Sequence, residues 1–130
     1  MLVASALTAA GRFGFAALYF AGAVFNLTYG RTHPGEFYAS FGETAWLGAY
    51  RKVIHQVILP NGARFAVLLG AFELAVAGLI LSGGTPMAAG LAAGIAFCLL
   101  VVPASNFAGA LANGGLAITQ SFLLWNELSA

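Results

Sequence analysis

Apolar residues fall along this chain in long runs with few interruptions. Four runs reach the roughly 20 largely apolar residues that a membrane-spanning helix needs. The first is "RFGFAALYFAGAVFNLTYG", near 11–30, with room to start several residues earlier. The second is "ARFAVLLGAFELAVAGLILSG", near 63–83. The third is "PMAAGLAAGIAFCLLVVP", near 86–103, and the fourth is "NFAGALANGGLAITQSFLLWNEL", near 106–128. The breaks between the last three are short. In "SGGTP", Gly83 and Gly84 suit a helix end and Pro86 suits a helix start. "VPASN" around Pro103 is equally brief. Short breaks make neighbours of the joined helices. The predicted fold is all-α: four transmembrane helices in an antiparallel bundle, a single membrane domain over 1–130.

The connection from Arg31 to Gly62 has another pattern. Within "ETAWLGAYRKVIHQVILP", near 43–59, Trp46, Leu47, Tyr50, Val53, Ile54, Val57 and Ile58 share one helical face. Gly48, Arg51, Lys52, His55 and Gln56 share the other, and Pro60 is expected to end the segment. This predicts an amphipathic helix lying in the membrane interface between spans one and two. Packing onto the bundle as a lid is the rival arrangement.

Composition strengthens the membrane reading. The chain is 61% hydrophobic and 7% charged, where an average soluble domain is about 25% charged. Mean hydropathy is +0.91. Four acids and five bases cannot build a water-facing surface, and a net charge of +1 offers no basic stripe for nucleic acid. The opening "MLVASALTAAGRF" has no base before its apolar run, unlike a signal peptide, and reads as the start of a span. Arg31, Arg51, Lys52 and Arg64 lie on the long-connection side, with Arg12 near the other. The positive-inside rule then places that connection in the cytoplasm.

Polar groups inside spans cost several kcal/mol unless satisfied, so they mark the inward faces. Asn106, Asn113, Gln120 and Glu127 are spaced by seven and form one stripe on span four. Arg12, Tyr19 and Asn26 repeat that spacing on span one. In span two, Glu73 is the single charge in "VLLGAFELAVAGLIL", flanked on its face by Ala66, Gly70 and Ala77. Small residues there let a neighbouring helix approach. Gly90 and Gly94 make a GxxxG pair on span three.

An acid within a span is a functional-site hypothesis by default. Glu73 is therefore the first ligand or polar-network candidate, with Arg12, Tyr19, Asn26, Asn113 and Gln120 as partners. Arg12 is the expected counter-ion. Arg64, about 13 Å along the axis and on the opposite face, is a poor one. The bland alternative is that the amides act as interhelical glue and Glu73 is simply hydrogen-bonded. His33 and His55 lie outside the spans without a third ligand, so no metal is expected. Cys98, the only cysteine, allows neither a disulfide nor a redox pair within the chain. No phosphate loop, nucleophile elbow or HExxH motif is present.

Three stretches resemble the DoxX-like family of small four-helix bacterial membrane proteins. They are "GRFGFAALYFAGAVFNL", "HPGEFYASFG" and "FELAVAGLILSGGTP". The resemblance implies a bacterial cytoplasmic membrane protein and matches Arg12 and Glu73 to family-like positions. Some members of that family belong to quinone-linked oxidation and others to redox-stress complexes, while many have no assigned activity.

Two functions follow as expectations. The first is an accessory or anchoring subunit of a larger membrane complex, redox-linked, surrounded by lipids and other membrane subunits and inactive alone. The second is a lipid- or quinone-binding protein or enzyme with Glu73 in an intramembrane pocket. Phe13, Phe15, Tyr19, Phe20, Phe25, Trp46 and Trp125 would wall that pocket. No intrinsic cofactor is expected. A transporter has the weakest basis, since no inverted repeat is visible.

Overall fold

The structure, a computed structural model, describes residues 2–130, so Met1 of the opening run lies outside it. The described residues form helices and turns with no strand. Six α-helices follow in order: α1 (Leu2–Phe25), α2 (Pro34–Thr44), α3 (Gly48–Val53), α4 (Gly62–Ser82), α5 (Gly84–Val101) and α6 (Phe107–Ser129). Four helical stretches are long and apolar enough to cross a membrane: Ser5–Gly30, Gly48–Ser82, Gly84–Ala104 and Phe107–Ser129. These coincide with the four apolar runs, with one extension at span two.

That extension changes the reading of the connection. Pro60 does not end the amphipathic segment. A π-turn at Ile54–Ile58 and a 3₁₀ turn at Leu59–Asn61 carry α3 into α4 as one helical rod. Pro60 sits in the first turn of that 3₁₀ stretch, where its missing N–H leaves nothing unsatisfied. The segment is also split at its start. Glu43 and Thr44 belong to α2, a helix the hydropathy pattern does not announce. The break falls at Ala45, which is extended (ψ 131°) and fully buried. Its carbonyl accepts from Arg51 Nε at 2.7 Å, and the Trp46 N–H donates to the Pro103 carbonyl at 2.7 Å. The connection is thus fastened to the α5–α6 turn. The expected apolar face divides accordingly. Ile54 is buried and Tyr50 and Ile58 are half-buried, while Trp46, Leu47, Val53 and Val57 stay exposed.

α1 packs along α4, α4 on α5 and α5 on α6, and α6 touches α1 more sparingly. The small face of α4 is what α1 meets: Gly70 lies under Leu27, and Ala66 beside Gly30. The GxxxG pair of α5 serves three neighbouring helices. Gly90 fits against Leu79 and Ile80 of α4, and Gly94 against Tyr19 and Gln120. Apolar side chains gather in two clusters. One holds Phe15, Tyr19, Val76, Ile80, Met87, Leu91 and Leu123. The other holds Ala45, Ile54 and Ala104, joined by Phe41 and Tyr50. In hydrocarbon such clusters gain by close van der Waals packing rather than by leaving water.

Candidate functional site

Glu73 is buried on α4 opposite Gly22 of α1. A Cβ at Gly22 would stand 2.7 Å from Glu73 Oε1, so only glycine lets the carboxylate sit there. One turn further along α1, Asn26 opens a π-turn, Asn26–Gly30. Such turns shift the phase of a helix and are frequent at functional sites. Asn26 Nδ2 donates to Glu73 Oε2 at 2.8 Å and to the Gly22 carbonyl at 3.1 Å. Asn26 Oδ1 accepts from the Tyr38 hydroxyl at 3.2 Å. The three side chains form one directed chain, Tyr38 to Asn26 to Glu73. Both hydrogens of the Asn26 amide are used, and Glu73 Oε1 keeps its accepting capacity.

Tyr38 is the residue that hydropathy and helical spacing missed. It comes from α2, 3% exposed, with its ring edge-on to Phe65 at 5.2 Å. Burial, and then the nearby Glu73 charge, push its phenol up to about 12 from 10.0. It therefore stays protonated and donates throughout the physiological range. A signal for it was present: Pro34 at a helix start, followed by Phe37, Tyr38 and Phe41 at helical spacing.

This chain forms part of the wall of a cleft of about 1130 Å³. Phe37 and Phe41 of α2, Tyr50 and Ile54 of the connection, Phe65 and Phe72 of α4, and Phe97 and Leu100 of α5 are among the residues that line it. Both π-turns border it, through Asn26 and through Ile54 and Ile58. None of the seven aromatics expected to wall a pocket lines it. Most of the aromatics that do come from α2 and from the inward faces of α4 and α5. Asn113 also borders the cleft, but its amide donates to the Gly109 carbonyl one turn back, at 2.9 Å. It does not reach Glu73.

The other candidates lie elsewhere. The Tyr19 hydroxyl donates to Gln120 Oε1 at 2.9 Å. Gln120 Nε2 donates to the Leu116 carbonyl at 3.2 Å and faces Cys98 Sγ at 3.5 Å. This knot of α1, α5 and α6 is buried and away from the cleft, which fits the glue role. Gly94 provides the space, since a Cβ there would overlap both Tyr19 and Gln120.

Arg12 is not the counter-ion of Glu73. Gly22 is the residue opposite Glu73, and Arg12 precedes it by ten residues, about 15 Å along α1. Arg12 instead donates through Nη2 to the Leu81 carbonyl at the end of α4. Terminal carbonyls of a helix lack partners and attract cations. Its role here is that of a cap. Asn106 likewise caps α6, accepting from the Gly109 N–H at 2.8 Å. His33 stacks on Tyr29 at 4.7 Å, and His55 lies beside Gly42. Among the described residues no three His, Cys, Asp or Glu side chains converge as metal ligands.

No family model, no curated protein and no solved structure matches the chain.

Proposed function

We propose that the protein binds a lipophilic molecule, a quinone in its reduced quinol form or a hydroxyl-bearing lipid, with its polar end on Glu73. The observation that carries this is the cleft itself: apolar, large, and bordered by an ordered carboxylate–amide–phenol chain. Ligand sites are typically clefts of about 300–1,000 Å³ with a few placed polar groups among apolar walls. The cleft of about 1130 Å³ has room for a ring headgroup and part of a tail. Glu73 Oε1 accepts a ligand hydroxyl, while Asn26 and Tyr38 hold the carboxylate in place. On this reading the four helices form an antiparallel bundle in the bacterial cytoplasmic membrane. The connection lies at the interface and closes the cleft toward the headgroups. The resemblance to the DoxX-like family, with its quinone-linked members, points the same way.

Detergent-solubilised protein is to be titrated with a short-chain quinol and with a monoacylglycerol, following intrinsic fluorescence. Saturable binding of one of them is expected. Glu73→Gln weakens it about ten-fold, the effect of one charge-assisted hydrogen bond. Linear, non-saturable partitioning of both compounds into wild type and variant alike sinks the proposal.

A second reading, an accessory subunit of a redox-linked complex, rests on α6. Phe107, Leu111, Ile118, Phe122 and Trp125 are each more than 60% exposed along it, and Gly114 and Gly115 have open space beside them. Such a helix face suits another membrane subunit as well as lipid.

A further inference from the structure

A second apolar groove runs along the seam of α1 and α4 and shares no lining residue with the cleft. Phe13, Ala17 and Phe20 form one bank, and Leu74, Gly78 and Leu81 the other. Arg12 closes one end of it. Its guanidinium donates to the Leu81 carbonyl and stands 5.5 Å from the centre of the Phe13 ring, so it touches both banks. Among the described residues no carboxylate pairs with it. Nε is buried without a partner. Nη1 points toward Gly83, where a Cβ would lie 3.4 Å away.

Gly83 is also the residue before α5, an 18-residue helix whose first turn has no side-chain cap. Pro86 carries no N–H and the Met87 N–H donates to the Gly83 carbonyl at 3.2 Å, so the Gly84 and Thr85 N–H groups are the donors left at this start, and such groups attract anions. A guanidinium with no carboxylate partner among the described residues and a helix start without a side-chain cap therefore meet at one corner, at the end of an apolar groove. α1 continues about 15 Å past Arg12, so the corner is a notch beside a projecting helix.

We infer that this seam holds one anionic phospholipid, its phosphate on Arg12 and the α5 start, and an acyl chain in the groove. A zwitterionic lipid fits the groove equally well but brings no net charge to the guanidinium. The inference rests on the helices spanning a bilayer and is independent of what the cleft binds.

Native mass spectrometry of the purified protein, offered equimolar phosphatidylglycerol and phosphatidylcholine of identical chains, tests it. Wild type should retain one lipid with about a five-fold preference for phosphatidylglycerol, the worth of one basic contact near a membrane surface. Arg12→Gln should bring the preference to unity, and Arg12→Lys should keep it. Gly78→Leu is the second variant, because Gly78 has open space and the substitution fills the groove without touching the cap. It should reduce retention of both lipids while the protein's thermal midpoint holds. Equal retention of the two lipids by wild type would overturn the inference. So would a preference that survives in both Arg12→Gln and Gly78→Leu. A lipid-free dimer that Gly78→Leu dissociates would assign the seam to a second copy instead. Protein that stays monodisperse without detergent would remove the bilayer premise itself.

Discussion

Tyr38 shows how one side chain can decide a site. Its hydroxyl steadies Asn26, which in turn holds Glu73, and burial keeps the phenol protonated. Because its pKa in the fold lies above that of an exposed tyrosine, its contribution is complete below pH 10 and fades as pH rises toward about 12. A tyrosinate difference spectrum, wild type minus Tyr38→Phe, should show a midpoint near 12. Glu73→Gln removes the neighbouring negative charge and should move that midpoint down. A midpoint at 10 in wild type would mean that Tyr38 is not buried against Asn26. Gly94 gives the strongest stability prediction. Gly94→Val forces a branched side chain into Tyr19 and Gln120 and should cost about 1–3 kcal/mol, read as earlier unfolding in a denaturing-detergent titration.

At the scale of elements, the sequence made the spans plain and the connection opaque. Spanning helices are legible because a length of unbroken hydropathy is all they require, and Gly83, Gly84 and Pro103 punctuate them. The Glu73 face was legible too, since Ala66, Gly70 and Ala77 repeat at helical spacing. Its partner was only half legible. Asn26 stood on the inward stripe with Arg12, but spacing by seven fixes a face and not a depth. Which stripe residue lies level with Glu73 depends on how far α1 slides along α4, and that is set by Gly22 and Gly30. The connection departs from its hydropathy pattern because short helices are chosen by tertiary contacts. The split at Ala45 follows from the Trp46–Pro103 and Arg51–Ala45 hydrogen bonds, which join residues distant or out of helical register. Hydrogen exchange checks this directly. The Trp46 amide should be protected although its side chain is 56% exposed. Rapid exchange there would mean that α2 and α3 swing free of the α5–α6 turn.

Across the whole molecule, the two ends are built differently. Where α4 turns into α5, the packing is dense, with Met87 and Leu91 buried and Arg12 capping the turn. Toward the connection, α2 and α3 border an open cleft, and both π-turns are found at its edge. That asymmetry suits a tight anchor at one end and a binding site at the other. Phe97→Ala, which enlarges the cleft without touching Glu73, should alter ligand affinity while leaving the polar chain intact. Its effect on binding should exceed that of Trp125→Ala, a residue on the exposed face of α6. Equal effects would shift weight to the subunit reading.

The most direct measurement is organic extraction of the protein purified gently from its own membrane, followed by mass spectrometry, with Glu73→Gln handled in parallel. A lipophile at near one-to-one stoichiometry in wild type, depleted in the variant, is the expected result. No lipophile in either protein, with other polypeptides retained at fixed ratio, would contradict it and make Glu73 and Asn26 a helix-packing pair within a complex.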